Sequence, residues 1–241
     1  MIEVKQISKH FGDILAVDQA SFQARNGAIT GLLGHNGAGK STSLRILYGL
    51  LKANGGQALI DGIDVTRDPL EAQKIIGVMT DAHGLNPRLT AREHIEYFAR
   101  LRRMGKDEIR QRTDELIRML GMEEIADRRA EGFSQGEKMK VCLSRSLVHD
   151  PMNLLLDEPT NGLDVMSTRS VRSILQALKS QNKCILLSSH IMQEISVLCD
   201  EVIIIADGKV LMQGSLDALA RQTGETDLEE AFMKITRSVS S

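Results

Sequence analysis

The 241-residue chain has no tryptophan, two tyrosines and five phenylalanines, and this shortage of rings excludes more than its size does. Single-stranded nucleic acid is commonly held by stacking bases on successive ring faces along one groove, so that mode is set aside, and base-reading RNA modules with it. Net charge is also scarce: 30 Lys and Arg against 32 Asp and Glu leave −2, and no global field draws the chain to a polyanion or an acidic lipid surface. No nucleic-acid partner is expected. The three cysteines, Cys142, Cys184 and Cys199, are odd in number, far apart and without CxxC spacing, which argues against a disulfide framework and a zinc site. They read as small buried hydrophobes of a reducing compartment. Apolar runs such as 202–206 stop at about five residues, against roughly 18 needed to cross a bilayer. The opening MIEVKQISKHF carries charge from residue 3 and has no apolar core of signal-peptide length. A cytoplasmic chain is expected, whose membrane role must be borrowed from other chains.

What is present is an ordinary globular mix, 42% apolar and 26% charged, with no tandem repeat and no Pro- or Ser-rich linker, so residues 1–241 read as one domain with insertions. Residues 2–22 alternate in short segments broken at Gly12-Asp13, which predicts an antiparallel β layer. Residues 28–33 form a strand run into glycines, and 41–51 carry Leu44, Leu47 and Leu51 at helical spacing. From about 91 to 148 the periods are helical, with Ile109, Thr113, Leu116, Ile117 and Leu120 on one face. Compact apolar runs then alternate with helical stretches. Strands are predicted at 153–157, 184–188, 202–206 and 210–212, and helical faces at Val171, Ile174, Leu175 and Leu178 and over 191–199. Leu228, Phe232 and Ile235 mark one last amphipathic helix before a polar tail expected to fray. Strands separated by helices imply a largely parallel sheet buried on both faces.

Gly34-His35-Asn36-Gly37-Ala38-Gly39-Lys40-Ser41 matches GxxxxGK[ST] and lies after a strand and before a helix. A random chain of this length shows the pattern at about the one per cent level, and its context lowers that further. Glycines let successive N–H groups of 34–42, Thr42 included, point at phosphate oxygens, and the helix adds its positive end. Lys40 would bridge β- and γ-phosphates, and the Ser41 hydroxyl would ligate Mg²⁺. A second acidic site follows a later apolar run, Asn153-Leu154-Leu155-Leu156-Asp157-Glu158. Neighbours on a strand face opposite ways, so Asp157 can hold metal through its water shell while Glu158 polarises the attacking water.

Together with three further motifs, the chain resembles the ATP-binding subunit of ABC transporters over essentially its whole length. Phe133-Ser134-Gln135-Gly136-Glu137 stands at the family's LSGGQ signature, Asn161-Gly162-Leu163-Asp164 at its D-loop, and Ser188-Ser189-His190 at its switch histidine. The resemblance implies an α/β fold: a P-loop NTPase core with a largely parallel sheet (1–90 and 149–241), an N-terminal antiparallel β layer, and an inserted α-helical subdomain at about 91–148. It implies ATP and Mg²⁺ as cofactors and an ATP-dependent homodimer in which Ser134, Gly136 and Glu137 cap the γ-phosphate held by a second copy. By themselves these three read as a helix N-cap with a glycine. His190 would sense the γ-phosphate, and its plainer reading is a capped loop residue. Phe11 aligns with the adenine-stacking aromatic, or is core.

Two departures stand out: Asp81 occupies the family's Q-loop glutamine position, where a carboxylate can reach water around Mg²⁺, and Gln135 and Glu137 replace signature residues. These changes, with residues 85–93, look like the sodium-exporting (Nat-type) subunits and related small exporters. Such a chain would sit peripherally on the cytoplasmic face of the membrane, driving separate integral permease subunits that export sodium or a small molecule. A soluble ABC ATPase without a membrane partner, such as one of iron–sulfur cluster assembly, is the alternative. Docking is expected at 81–103, where His94, Tyr97 and Phe98 lie, unless Phe98 with Ile95 and Leu101 is simply a helix's core face.

Overall fold

The computed structural model describes residues 1–81 and 84–237; Ala82 beside the Q-loop position and the expected frayed tail at 238–241 lie outside them. β1 (Ile2–Phe11) and β2 (Ile14–Ala24) form a hairpin closed by Gly12-Asp13. In β1 the buried residues are Ile2, Val4 and Ile7, and in β2 they are Val17, Ala20, Phe22 and Ala24, so each strand changes parity once. Gln6 (φ +49°) and Gln19 (φ +45°) sit at those changes, where the register slips. Each bulge re-aims the strand so that the next apolar residue still points inward. The amides this frees are satisfied by hydroxyls: Gln6 N–H donates to Ser21 Oγ at 2.9 Å and Gln19 N–H to Ser8 Oγ at 3.1 Å.

β3 (Ala28–Leu33) leads into α1 (Lys40–Leu47). The predicted helix to residue 51 is too long. Gly49 turns at φ +71° and its N–H bonds back to the Ile46 carbonyl, which closes the helix and leaves Leu50 64% exposed. β4 (Gly55–Ile60) and β5 (Ile63–Asp64) complete an antiparallel sheet of order β2-β1-β4-β5. α2 (Pro69–Lys74) and β6 (Ile76–Met79) follow, then α3 (Ala91–Leu101), α4 (Lys106–Met119) and α5 (Gln135–Leu147). The chain continues as β7 (Asn153–Asp157), α6 (Val165–Ser180), β8 (Cys184–Ser189), α7 (Met192–Leu198), β9 (Glu201–Ala206) and β10 (Lys209–Gly214). It ends with α8 (Leu216–Thr223) and α9 (Leu228–Arg237).

The second sheet has the order β10-β9-β3-β8-β7-β6, parallel throughout except for the β9–β10 hairpin at Asp207-Gly208. This is the α/β fold expected, a largely parallel sheet with an antiparallel layer and helices beside it. Every residue of β3, β7 and β8 is buried, which is why these strands read as unbroken apolar runs. Alternate side chains serve two cores. Leu154 and Leu156 pack with α3 to α6, while Leu155 packs under the antiparallel sheet with Leu44, Leu47 and Val4. Burying each such Leu or Ile contributes roughly 1.5 to 3 kcal/mol. The helical face over 109–120 is buried as predicted, and so are the three free cysteines. Among the described residues no helix is long and apolar enough to cross a membrane.

Register then places the functional segments. Leu33 pairs with Ser189 and Asp157 with Ser188, so the carboxyl ends of β3, β7 and β8 open side by side on one edge. In parallel α/β sheets that edge is where ligands bind.

Candidate active site

The loop after β3 ends at Gly39, which caps α1 at φ +104° with no side-chain cap, so the first-turn N–H groups face outward. A Cβ at Gly39 would lie 2.7 Å from the Ala16 carbonyl oxygen, so both conformation and space exclude a side chain there. Lys40 opens the helix and is only 6% exposed. Its Nζ donates to the carbonyls of Gly34 at 2.7 Å and His35 at 3.3 Å, and stands 3.5 Å from Glu158 Oε1. A buried ammonium with two carbonyls and one carboxylate around it is compensated.

A cavity of about 430 Å³ lies over this loop, lined by Asn36, Gly37, Gly39, Lys40, Ser41, Thr42, Asp81, Glu158 and His190. Three further lining residues, Ala16, His35 and Asn161, were not among the predicted site residues. Ala16 carries no chemical signal of its own, since it comes to the wall by the packing of β2 on the loop. Ala38 is buried beneath the loop and does not line the cavity; its N–H donates to the His35 carbonyl at 3.2 Å and its carbonyl accepts from Gly208 N–H at 3.1 Å.

Asp157 ends β7 and is buried; its Oδ1 accepts from Ser188 Oγ at 2.6 Å and from Ser41 Oγ at 3.3 Å. Burial first and the Asp157 charge second push the nearby Tyr48 phenol well above its usual pKa. Ser41 lines the cavity and Asp157 lies buried directly behind it, so two hard oxygen donors stand side by side at this wall. That set fits Mg²⁺, which prefers one or two such ligands plus phosphate and water to an all-protein cage.

Glu158 departs from the expected strand geometry. It has left the strand at φ +51°, a left-handed conformation rare for a side chain of this kind, and it precedes Pro159. Its N–H donates to Ser188 Oγ at 3.0 Å, so one hydroxyl bridges both acids. Such strain costs roughly 1 to 3 kcal/mol and persists where neighbours enforce it. Here it swings the carboxylate between Lys40 and His190, whose Nδ1 lies 3.0 Å from Glu158 Oε2. Ser188 precedes Ser189-His190 at the end of β8, and its bridging role has no local signal because it arises from the β7–β8 register.

The remaining predicted residues lie away from this cavity. Ser134 caps α5 in a capping box: its Oγ accepts from Glu137 N–H at 3.2 Å, and Glu137 Oε2 accepts from Ser134 N–H at 2.7 Å. Glu137 also pairs with Arg128 at 3.0 Å. Against a burial that would raise it, the Ser134 N–H and the Arg128 charge hold the Glu137 carboxyl below its usual pKa. Ser134 is exposed and Gly136 buried. Phe133 is core, 5% exposed. Phe11, 46% exposed at the hairpin end, is not core, and Lys9 Nζ lies 5.2 Å from its ring centre.

The predicted docking segment is mixed. His94 is buried: its Nε2 accepts from Asn86 N–H at 3.0 Å and its Nδ1–H donates to the Thr90 carbonyl at 2.8 Å, so it pins the loop before α3 and offers nothing to a partner. Burial lowers its pKa and keeps it neutral. Tyr97 is 51% exposed and meets Phe98 edge-on at 5.7 Å. Leu101, offered as core, is 60% exposed, because α3 ends there at the rim of a groove. That groove, about 740 Å³, is lined mainly by Leu50, Leu70, Val78, Phe98, Leu101 and Arg102.

Residues 17–161 match the model of a family described as ABC transporter. The ABC transporter ATP-binding protein NatA of Bacillus subtilis (strain 168) is 41% identical over 246 aligned positions that cover all of both chains. A solved structure described as the ATP binding subunit of an ABC transporter superposes with a TM-score of 0.89 at 28% identity, covering 98% of this chain and 99% of that one. The dimeric post-hydrolysis structure of the ATP-binding cassette MJ0796, bound to ADP and Pi, superposes with a TM-score of 0.80 at 27% identity over 89% of this chain and 98% of that one.

Proposed function

From the premise that the chain belongs to the ABC transporter family, as its ATP-binding subunit, we propose that it hydrolyses ATP in a homodimer to drive export of sodium or a small molecule through separate membrane subunits. The observation that carries the chemistry is the line Lys40–Glu158–His190 across the mouth of the cavity, with Ser41 and Asp157 beside it. Loop N–H groups and Lys40 hold the β- and γ-phosphates, and the N–H-rich start of α1 faces their charge. Ser41 and Asp157 would hold Mg²⁺, which would supply neutralisation of the phosphate charge. Glu158 orients a water and takes its proton as the oxygen attacks Pγ; the bond from Pγ to the bridging oxygen breaks, leaving ADP and phosphate. His190 holds Glu158 by its other oxygen and reports the γ-phosphate, and Asp81, in the cavity wall, would serve the metal.

Phe11 carries the adenine ring. Ser134 and the start of α5, with Gly136 and Glu137, close on the γ-phosphate held by the second copy, so one chain is half of a catalytic unit. The apolar groove beside Tyr97 and Phe98 receives the permease, and the subunit then sits peripherally on the cytoplasmic face of the membrane. The test is affinity purification in detergent with an ATPase assay. A polytopic membrane protein is expected to co-purify and to raise phosphate release; isolation of the chain with soluble scaffold proteins alone would overturn the transporter reading.

A further inference from the structure

Gly136 is buried in the first turn of α5, and its φ is not among the positive ones, so its backbone does not call for glycine. Space does. A Cβ there would stand 2.9 Å from Ser167 Cβ and closer still to Ser167 Oγ, inside the distance real Cβ atoms keep. By contrast, a Cβ at Gly132, just before the same helix, meets nothing within 4 Å. Ser167 cannot swing away cheaply, because its Oγ donates to Asp164 Oδ2 at 2.8 Å and its N–H to Asp164 Oδ1 at 2.9 Å in the cap of α6. Its Cβ is fixed by the helix backbone in any case.

We propose that Ser167 is a positioning residue for ATP hydrolysis: it seats the first turn of α5 directly on the first turn of α6, and this seat is what requires glycine at 136. The proposal rests on the reading that the start of α5 meets the γ-phosphate of the second copy. The same short segment also carries Asn161 in the wall of the chain's own cavity. The seat therefore ties the α5 turn that serves the partner's nucleotide to the loop that lines the chain's own.

Admitting a Cβ at 136 requires the two helix starts to separate by about 1 Å, and misplacement of that size can cost about 100-fold in rate. Gly136→Ala is expected to lower kcat about 10- to 100-fold while leaving the binding of a fluorescent ATP analogue to the monomer, whose own cavity has no lining from α5, within about threefold. Adding Ser167→Gly to that variant vacates the space and is expected to restore kcat to within about threefold of the parent. Ser167→Val, with Gly136 intact, fills the same gap from the other side and is expected to lower kcat likewise. Circular dichroism and Tm check that each variant is folded. A Gly136→Ala variant at the parent rate overturns the proposal. So does a double variant no faster than Gly136→Ala, since the glycine would then serve the approach of phosphate and not the seat. Failure of the dimer reading shows elsewhere: the Glu158→Gln chain would stay monomeric with saturating Mg-ATP.

Discussion

Replacing Glu158 by Gln keeps the shape of the side chain and removes its charge and its basicity, so it separates the two roles proposed for this residue. As general base it should contribute about 10²- to 10⁴-fold, or about 3 to 5 kcal/mol of barrier, and turnover should fall by that factor. Binding should move the other way. Glu158 Oε1 lies 3.5 Å from Lys40 Nζ, and both groups are nearly buried. At an effective dielectric of about 20, unit charges so placed attract by about 5 kcal/mol, an attraction that phosphate must displace before Lys40 can serve it. Most of this is offset by solvation and by the amide oxygen that Gln retains. A residue of about 1 kcal/mol should tighten Mg-ATP binding several-fold. His190 loses its ionic partner at 3.0 Å, yet Gln can still bond to its ring. The assays are phosphate release at saturating Mg-ATP, equilibrium titration with a fluorescent nucleotide, and gel filtration with ATP, where a long-lived dimer is expected. Turnover near the parent rate in the folded variant would place the base elsewhere. Weaker ATP binding would refute the competition for Lys40.

Ser188→Ala removes the hydroxyl that bonds both acids and leaves the Glu158 N–H without its partner. An unsatisfied buried donor costs about 1 to 3 kcal/mol, so Tm should fall by roughly 3 to 10 °C, and kcat should fall with it as Glu158 relaxes from its strained conformation. An unchanged Tm and kcat would show that Ser188 holds neither acid. Burial first, then the Arg102 charge, push His149 down to about 4, while in the unfolded chain it titrates near its usual value. The unfolded state therefore binds more protons between about pH 6.5 and 4, and stability present above that window is lost as pH falls through it. Discounted for partial exposure, the loss is about 2 kcal/mol. Urea titrations at pH 7 and pH 4.5 should show a smaller difference in His149→Gln than in the parent; equal differences would rule the group out.

Local pattern carried a large part of the molecule. The phosphate loop, the acid that ends the apolar run at Asp157 and the helical faces at 109–120 and 171–178 all rest on neighbours in sequence, and each stands where the pattern put it. The stretch 52–90 offered no such pattern. Its strands β4 to β6 are short, and β4 and β6 are stabilised by pairing with distant β1 and β7. His94, expected on the docking surface, is buried, and Leu101, core only in the alternative reading, is exposed, for the same reason. Helical spacing placed them on α3, but whether a face is covered depended on the loop at 84–90 and on where α3 ends.

By itself the sequence determined the chemistry available: a loop of glycines with one lysine, two acids at a strand end, a histidine after another strand, and few rings to compete. These depend on bond geometry and side-chain type, which act over a few residues. Only the tertiary structure decided how they meet. The β3–β8–β7 register set Ser188 beneath both acids, and its bond to the Glu158 N–H holds Glu158 turned toward Lys40 and His190. The crossing of α5 and α6 decided that Gly136 faces Ser167. Contacts between segments far apart in the chain are fixed by the packing of the whole core, and no local run of residues encodes them.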